Sequence, residues 1–315
     1  MPPRSARPHL AAPLVVTPGD PRGVGPEVAV AALAALGWPA VIVGEGDAVL
    51  REARRQGLAV APVDRIGPGT GVRLLPVPDG AEPAEVVALR LAVAACLEGR
   101  ARALVTGPVH KARLAARGFR FPGHTGFLGH LCGVPEPVMA FVGRRLRVVL
   151  VSVHLPLAEV PGAITRERLL HVLGTADAAF RAGLGLDPPR FAVCGLNPHA
   201  GDGGVLGREE IEVVGPACEE ARARGLAVEG PMSAETAVRR VLGRRADALV
   251  ALYHDQGLVP LKALDFGCAL NWTLGLPIVR TSVDHGTADD IAGLGRADPG
   301  SMVAALRFAR RLARA

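Results

Sequence analysis

The feature that most constrains this chain is the alternation of short apolar segments with longer stretches rich in Ala, Leu and Arg. The clearest candidate strands are PLVVT (13–17), PAVIVG (39–44), ARALVTG (101–107), RVVLVSV (147–153), RFAVC (190–194) and ADALVAL (246–252). Amphipathic helical patterns lie between them, and Pro26 with Glu27 suits the first turn of one such helix. The alternation predicts an α/β fold with a largely parallel sheet system, in which ligands bind at the carboxyl ends of the strands.

Composition narrows the class of protein. A chain of 315 residues with 49% hydrophobic content can bury a large core, which suggests two domains or one large α/β unit. Uninterrupted apolar windows of membrane-spanning length and signal-peptide features are both absent from the sequence, so we expect a cytoplasmic protein that does not bind membranes. Five scattered cysteines without a CxxC pair indicate reduced thiols. Although the net charge is +6, the 3% aromatic content is too low for base-stacking platforms, which disfavours nucleic acid as a partner.

Three candidate strands run into a histidine at the carboxyl end: His154, His199 and His254. Each of these residues precedes a turn that is rich in Pro, Gly or acidic residues. Three neutral imidazoles would suit a divalent transition metal that keeps open positions for substrate oxygens. Their spacing is not a metal motif by itself, so three separately hydrogen-bonded histidines are the alternative.

Rare residue types give a second signal. Lysine occurs only at Lys111 and Lys262, and asparagine only at Asn197 and Asn271, in a chain that otherwise uses Arg. Most of these positions lie in segments that also carry histidines. Because Arg cannot replace Lys where a compact or titratable ammonium is required, the remaining lysines are candidates for a functional role.

Six motifs resemble one known family. They are TPGDPRGVGPE (17–27), TGPVHK (106–111), FPGHTGFL (121–128), NPHAGDGG (197–204), YHDQG (253–257) and NWTLGLPIVRTSVDHGTADDIAG (271–293). In this order, over nearly the whole chain, they resemble the 4-hydroxythreonine-4-phosphate dehydrogenase family of vitamin B6 biosynthesis. The resemblance implies a two-domain isocitrate/isopropylmalate dehydrogenase-like α/β fold. It places residues 1–125 plus 280–315 in a discontinuous first domain and 126–279 in a second domain with the dimer interface. The active site of the homodimer is expected at the cleft and subunit interface.

The resemblance also assigns site residues. It implies one divalent metal ion per active site (Zn, Mg, Co or Mn), with one ligand from the partner subunit, for which His254 is the first candidate. The ligands are His154, His199 and His254. The implied substrate-binding residues are His124, Thr125, Lys262, Asn271 and Arg280, of which Arg280 is expected to close a strand LPIVR.

A third set of residues is implied for the cofactor, which is NAD or NADP. The segment DHGTADDIAG resembles the adenosine-binding loop of the decarboxylating dehydrogenases. Its candidate cofactor residues are His285, Gly286, Thr287 and Asp290. A carboxylate at Asp290 would accept hydrogen bonds from the ribose and repel a 2′-phosphate, which favours NAD.

The implied reaction is the oxidation of 4-phosphooxy-L-threonine at C3, followed by decarboxylation to 3-amino-2-oxopropyl phosphate, in pyridoxal phosphate biosynthesis. The metal would lower the pKa of the C3 hydroxyl as hydride leaves for the nicotinamide. The residue that accepts the hydroxyl proton is open among Asp255, Lys262 and Glu235.

Two departures from the family pattern leave room for other functions. Gly126 stands where family members usually have Glu, and Glu235 where they usually have Asp. The first alternative is therefore a paralogous dehydrogenase of a phosphorylated four-carbon sugar acid of the 4-phospho-erythronate or 4-phospho-threonate type. Alternatives of another class are a three-histidine metal lyase or hydrolase of a phosphometabolite, without nicotinamide, and a catalytically silent phosphometabolite sensor.

Overall fold

The computed structural model describes residues 12–78, 80–121 and 123–314. Its contacts divide these residues into two compact units: one contains the residues up to Pro137 together with Leu276–Arg314, and the other contains Val138–Gly275. The sequence prediction divides the chain at 125 and 279 instead. Residues 126–137 fall in the first unit because Phe127, Leu128 and Cys132 are buried in its hydrophobic core. The functional domain boundaries stay a prediction.

The regular elements can be given in chain order for the residues that the structure describes. The strands are β1 (Leu14–Thr17), β2 (Ala40–Gly44), β3 (Val60–Pro62), β4 (Val72–Pro76), β5 (Ala103–Thr106), β6 (Val138–Val142), β7 (Arg147–Leu150), β8 (Arg190–Cys194), β9 (Ala227–Met232), β10 (Ala248–Ala251), β11 (Leu270–Leu274) and β12 (Arg280–Val283). The helices are α1 (Gly25–Leu36), α2 (Gly46–Arg55), α3 (Ala84–Leu97), α4 (Lys111–Ala116), α5 (His124–Cys132), α6 (Val160–Ala163), α7 (Arg166–Leu184), α8 (Gly215–Ala223), α9 (Ala234–Leu242), α10 (His254–Asp265) and α11 (Gly300–Leu312). Leu157–Glu159 and Pro198–Gly204 form 3₁₀ turns, and Glu210–Val214 forms a π-helical turn.

The first unit is built on parallel strands in the order β3-β4-β2-β1-β5-β12. Every residue of β1 and β5 is buried, as expected of parallel strands that are covered on both faces. The expectation that Arg280 closes a strand is wrong, because β12 begins at Arg280. Pro277, three residues earlier, lacks the backbone N–H that a ladder needs, and pairing with β5 starts after it.

The second unit has a mixed sheet in the order β11-β6-β7-β10-β8-β9. The pairs β11/β6 and β6/β7 are antiparallel, whereas β7, β10, β8 and β9 run parallel. Strand β10 lies between β7 and β8, so the three strands that precede the candidate metal ligands are adjacent. Because parallel strands share one carboxyl edge, the loops after them leave the sheet on the same side.

Two expectations on the class of protein can be compared with the structure. The five cysteines are free thiols, and four of them are buried. In the described part of the chain, each helix is too short or too polar to traverse a bilayer.

A buried carboxylate at the end of α10 fixes a turn of the second unit. Asp265 is 5% exposed, and its Oδ2 atom accepts hydrogen bonds from the backbone N–H groups of Arg145 at 2.9 Å and Leu146 at 3.2 Å. Gly143 packs against it so closely that an added Cβ atom would lie 2.1 Å from Oδ2. Asp265 therefore satisfies the donors of the turn between β6 and β7.

We expect Asp265→Ala to lower the free energy of unfolding by about 1–3 kcal/mol, because two backbone donors lose their acceptor in a buried setting. Urea denaturation followed by circular dichroism measures the change. The matched control is Asp64→Ala at an exposed position, which should stay within about 0.5 kcal/mol of the wild type. Equal unfolding midpoints for the two variants would contradict this role.

Candidate active site

A buried arginine lies at the start of β12 in the first unit. Arg280 is 3% exposed, and its Nη2 atom donates a 2.7 Å hydrogen bond to the hydroxyl of Thr106. Burial lowers the pKa of Arg280 to about 9, so the guanidinium is still charged at neutral pH. Thr106 ends β5 and was not singled out from the sequence, since its partner is 174 residues away.

His124 lies near this charge at the beginning of α5. Its Nε2 atom is buried and has no hydrogen-bond partner within the described residues. Burial, with smaller contributions from the charges of Arg280 and Lys111, lowers the pKa of His124 to about 3, so the imidazole is neutral at pH 7. A buried polar atom without a partner costs free energy, and a ligand group can remove that cost. Thr125 follows on the same helix and is half-buried.

The candidate cofactor residues lie on the loop between β12 and α11. The Nε2 atom of His285 is buried without a partner in the described residues, while its Nδ1 atom lies 2.9 Å from the carbonyl oxygen of Gly286. The carbonyl of Thr287 accepts a 2.8 Å hydrogen bond from the N–H of Val24. Asp290 is exposed. A buried ring nitrogen and an exposed carboxylate on a fixed loop fit a hydrogen-bonding cofactor.

In the second unit, the loops after β7 and β10 bring two histidines together. The rings of His154 and His254 have centroids 5.5 Å apart. The Nδ1 atom of His254 lies 2.8 Å from Oδ1 of Asp255, which leaves Nε2 to face a ligand. A carboxylate that orients a histidine in this way is typical of metal sites. Both rings line a cavity of about 360 Å³ together with Tyr253.

His254, Asp255 and Gln256 form a polar cluster after β10. It forms the first turn of α10, which begins at His254. Gln256 in this turn accepts a hydrogen bond from the N–H of Leu252 at 2.7 Å and donates one to the carbonyl of Gly195 at 2.8 Å. Gln256 therefore ties the start of α10 to the loop that carries His199.

His199 lies on a loop with unusual backbone geometry. Its φ is 53°, and Ala200 and Asp202 also have left-handed φ values of 55° and 44°. The 5% exposed Glu210 stabilises the base of this loop, because its Oε1 atom accepts hydrogen bonds from the N–H groups of Leu196 and Asn197 at 2.7 and 2.8 Å. Glu210 was not predicted from the sequence.

One chain does not bring the three histidines together. Within the described residues, no group of three or more His, Cys, Asp and Glu side chains could hold a metal ion. The paired rings of His154 and His254 fit two ligand positions of a transition-metal site. His254 lies beside His154 in the same chain, so His199 is the candidate ligand that is not grouped with the other two among the described residues.

The remaining candidates belong to the second unit, and all of them except Asn271 are exposed. Asn271 is 9% exposed on β11, and its Oδ1 atom is buried without a hydrogen-bond partner in the described residues. Lys262 is exposed on α10, and the Asp255 side chain is 77% exposed. Glu235 is exposed. Its pKa is lowered by hydrogen bonds from its own backbone N–H and from Ser233, with a smaller effect of His199. The choice of the general base stays a prediction.

Comparisons with known proteins decide the family. Residues 51–309 match the model of the pyridoxal phosphate biosynthetic protein PdxA. The chain belongs to this family. It is 45% identical to a 4-hydroxythreonine-4-phosphate dehydrogenase of Thioalkalivibrio sulfidiphilus over 96% of this chain and 97% of that protein. It is 46% identical to one of Aromatoleum aromaticum over 94% and 95% of the two chains.

Similarity to solved structures of the same family supports the fold class expected from the sequence. A crystal structure of a 4-hydroxythreonine-4-phosphate dehydrogenase from Klebsiella pneumoniae has a TM-score of 0.84 and 35% identity, and the match covers 96% of this chain and 99% of the other. The α/β fold class is therefore confirmed. The chain is an oxidoreductase whose family uses a nicotinamide cofactor.

The pKa of His124 predicts a pH dependence of stability. The value is lowered from 6.5 to about 3, so between these two pH values the unfolded residue binds a proton that the folded one does not. This contribution to stability is complete above pH 6.5 and is lost as the pH falls toward 3. Urea midpoints at pH values of about 7.5, 6.5 and 5.5 should show a smaller decline for His124→Asn than for the wild type.

The exposed His171 on α7 provides the matched control for this measurement. His171→Asn should keep the decline of the wild type. If His124→Asn declines as steeply as the wild type, the neutral buried imidazole is not the cause of the pH dependence.

Proposed function

We propose that this oxidoreductase is a 4-hydroxythreonine-4-phosphate dehydrogenase. It would oxidise 4-phosphooxy-L-threonine at C3 in an NAD(P)- and divalent-metal-dependent reaction and release 3-amino-2-oxopropyl phosphate after decarboxylation, in pyridoxal phosphate biosynthesis. The observation that carries the proposal is the buried Nε2 atom of His124, which has no partner among the described residues and lies near the charge of Arg280. A neutral donor beside a buried cation suits a phosphate or carboxylate.

The phosphate and carboxylate of the substrate would be bound by five side chains. They are His124, Thr125, Lys262, Asn271 and Arg280. Arg280 offers a planar set of donors whose orientation is fixed by Thr106, so an anion can be met by two parallel hydrogen bonds. The buried Oδ1 atom of Asn271 is an acceptor and suits a donor such as the substrate amino group or hydroxyl.

A divalent metal would be held by His154 and His254 of one chain together with His199. When bound, the metal supplies positive charge beside the C3 oxygen, and the nicotinamide supplies the hydride acceptor. Asp255 accepts a hydrogen bond from Nδ1 of His254 in the neutral tautomer whose Nε2 lone pair is available for coordination. Asp255, Lys262 and Glu235 are the candidates for the base that takes the hydroxyl proton.

The cofactor would be bound by His285, Gly286, Thr287 and Asp290. An acidic residue at position 290 accepts hydrogen bonds from both hydroxyls of an adenosine ribose and repels a 2′-phosphate, so NAD is favoured over NADP. The protein would work in the cytoplasm as a homodimer. Exposed apolar side chains near the histidine loops of the second unit, such as Leu157 and Val205, suit such an interface.

The direct test is a spectrophotometric assay with a small substrate panel. Protein, NAD and a divalent metal should produce reduced cofactor, absorbing at about 340 nm, with 4-phosphooxy-L-threonine. Faster turnover of 4-phospho-erythronate or 4-phospho-threonate would favour the paralogous sugar-acid dehydrogenase instead, and would direct attention to Gly126 and Glu235. Loss of substrate without any reduced cofactor would favour a metal lyase or hydrolase.

Mixing of inactive variants tests whether His199 serves the partner subunit. His154→Ala and His199→Ala should each be inactive and low in metal. After unfolding and refolding together, half of the dimers are mixed and one of the two sites in each is intact, so about a quarter of the wild-type activity should return.

The matched control mixes His154→Ala with His254→Ala, whose histidines lie side by side in one chain. Since neither site of such a mixed dimer is intact, no activity should return. If both mixtures stay inactive although mixed dimers form, all three ligands belong to one chain or the metal site is elsewhere.

Lys262 provides a test of phosphate or carboxylate binding. We expect Lys262→Ala to raise KM for the phosphorylated substrate about tenfold to a hundredfold, as the loss of a charged hydrogen bond implies. Lys262→Arg should not restore the wild-type value, because a planar guanidinium on a longer stem cannot occupy the position of the ammonium. Wild-type kcat/KM in Lys262→Arg would show that Lys262 acts only as a positive charge.

A further inference from the structure

The loop that carries the proposed cofactor residues needs external support. From 284 to 299 it contains bends and turns but no helix or strand. Ala288, in the middle of the candidate residues, has a φ of 43°, a left-handed conformation that a residue with a Cβ atom adopts only at a cost. Such a loop presents a constant surface to a ligand only if its surroundings hold it in place.

Two contacts with the beginning of α1 fix part of this loop. The backbone of Thr287 is hydrogen-bonded to Val24, as described above. Further along, the carboxylate of Glu27, itself 3% exposed, accepts hydrogen bonds from the N–H groups of Gly293 at 3.1 Å and Ala297 at 3.0 Å. These contacts hold the loop at position 287 and beyond position 292, but neither holds the segment with Asp289 and Asp290.

Arg113 on α4 holds that segment. Its Nη1 and Nη2 atoms donate to the two carboxylate oxygens of Asp289 at 2.6 and 3.0 Å, and its Nε atom donates to Oδ2 of Asp20 at 2.7 Å. Asp20 is 2% exposed, and its other oxygen accepts from the N–H of Arg22. The guanidinium is therefore fixed on one side by a buried carboxylate and binds the loop with the other.

The position of Arg113 is fixed by its backbone as well. His110 is the N-cap of α4, and its Nδ1 atom accepts a 3.3 Å hydrogen bond from the N–H of Arg113. The hydrogen bonds from Arg113, with a smaller one from Thr287, lower the pKa of Asp289 to about 2, so this carboxylate is charged over the whole working pH range. The side chain of Arg113 is 23% exposed, which limits screening by solvent.

We propose that Arg113 is a positioning residue for the nicotinamide dinucleotide: by binding Asp289, it fixes the loop so that the neighbouring Asp290 is presented to the adenosine ribose. The role of this loop as the cofactor site rests on the proposed function. The pairing assigns different tasks to two adjacent aspartates. The carboxylate of Asp289 binds Arg113 within the protein. The carboxylate of Asp290 is exposed and would bind the cofactor.

The test uses two substitutions that both leave the buried Asp20 paired with a cation. Asp289→Asn removes the charge of the loop partner, and Arg113→Lys retains a single ammonium that cannot bridge both carboxylates. In each variant the Kd for NADH, measured by fluorescence titration of the full-length protein, should rise about fivefold to tenfold, because the binding-competent loop is populated less often.

A second readout observes the loop without any ligand. Hydrogen exchange of residues 286–292 should become faster in Asp289→Asn, while the exchange of the buried β5 stays unchanged. The KM for the phosphorylated substrate should remain within about twofold of the wild type, because the substitution changes only the cofactor loop. A general loss of stability would instead weaken the binding of both ligands. The double variant should bind NADH no more weakly than Asp289→Asn, because both changes remove the same contact.

Arg100→Leu is the matched control, since it removes an exposed ion pair with Glu98 in the same unit. This variant should keep the wild-type Kd. If the wild-type protein does not bind NADH, the proposed function fails and the positioning role fails with it. If the wild type binds NADH and Asp289→Asn and Arg113→Lys bind it equally well, only the positioning role is overturned, whether or not hydrogen exchange of the loop becomes faster.

Discussion

Parallel strand pairing is the constraint on which the rest of each unit depends. Strands β1, β5 and β10 have four residues each and are buried along their length, which leaves little room for polar groups within the sheet. The polar residues therefore collect in the loops at the carboxyl edge. In the second unit β10 is paired with both β7 and β8, and the candidate metal ligands follow these three strands. The pairing of these strands thus determines at which edge of the sheet the histidines leave it. It does not determine the orientation of their side chains.

Loops at such an edge carry backbone donors that the sheet cannot satisfy, and buried carboxylates accept them instead. Glu27 accepts from Gly293 and Ala297, and Glu210 accepts from Leu196 and Asn197. A carboxylate that accepts two N–H groups stabilises a loop without requiring regular structure there. Glu210 thereby fixes the backbone just before the left-handed residues that begin at His199. In both loops, part of the backbone is therefore held by an acidic residue that is not a candidate ligand-binding residue.

The sequence predicted the parts of this protein that depend on local pattern. Alternating apolar strands and helices gave the fold class, and the motifs gave the family. Scarcity of residue types was a weaker guide. The side chain of Asn197 donates to Glu209 and Glu210 within the protein, whereas Asn271 keeps a buried oxygen without a partner in the described residues. Thr106 lies 174 residues from Arg280 in the chain, and Asp20 and Asp289 lie 93 and 176 residues from Arg113. Such pairings depend on three-dimensional packing and cannot be inferred from one sequence.

The environment of Arg280 gives a physical reason for the proposed phosphorylated substrate. A guanidinium that is 3% exposed has lost most of its hydration, and the neutral His124 nearby does not compensate its charge. Folding therefore imposes a desolvation cost on this charge. A dianionic phosphate bound as proposed would remove that cost and would raise the pKa of His124, which adds a charged donor only when the anion is present. A neutral analogue of the same shape would leave the cost in place, so discrimination arises from the charge state of the ligand as much as from the shape of the site.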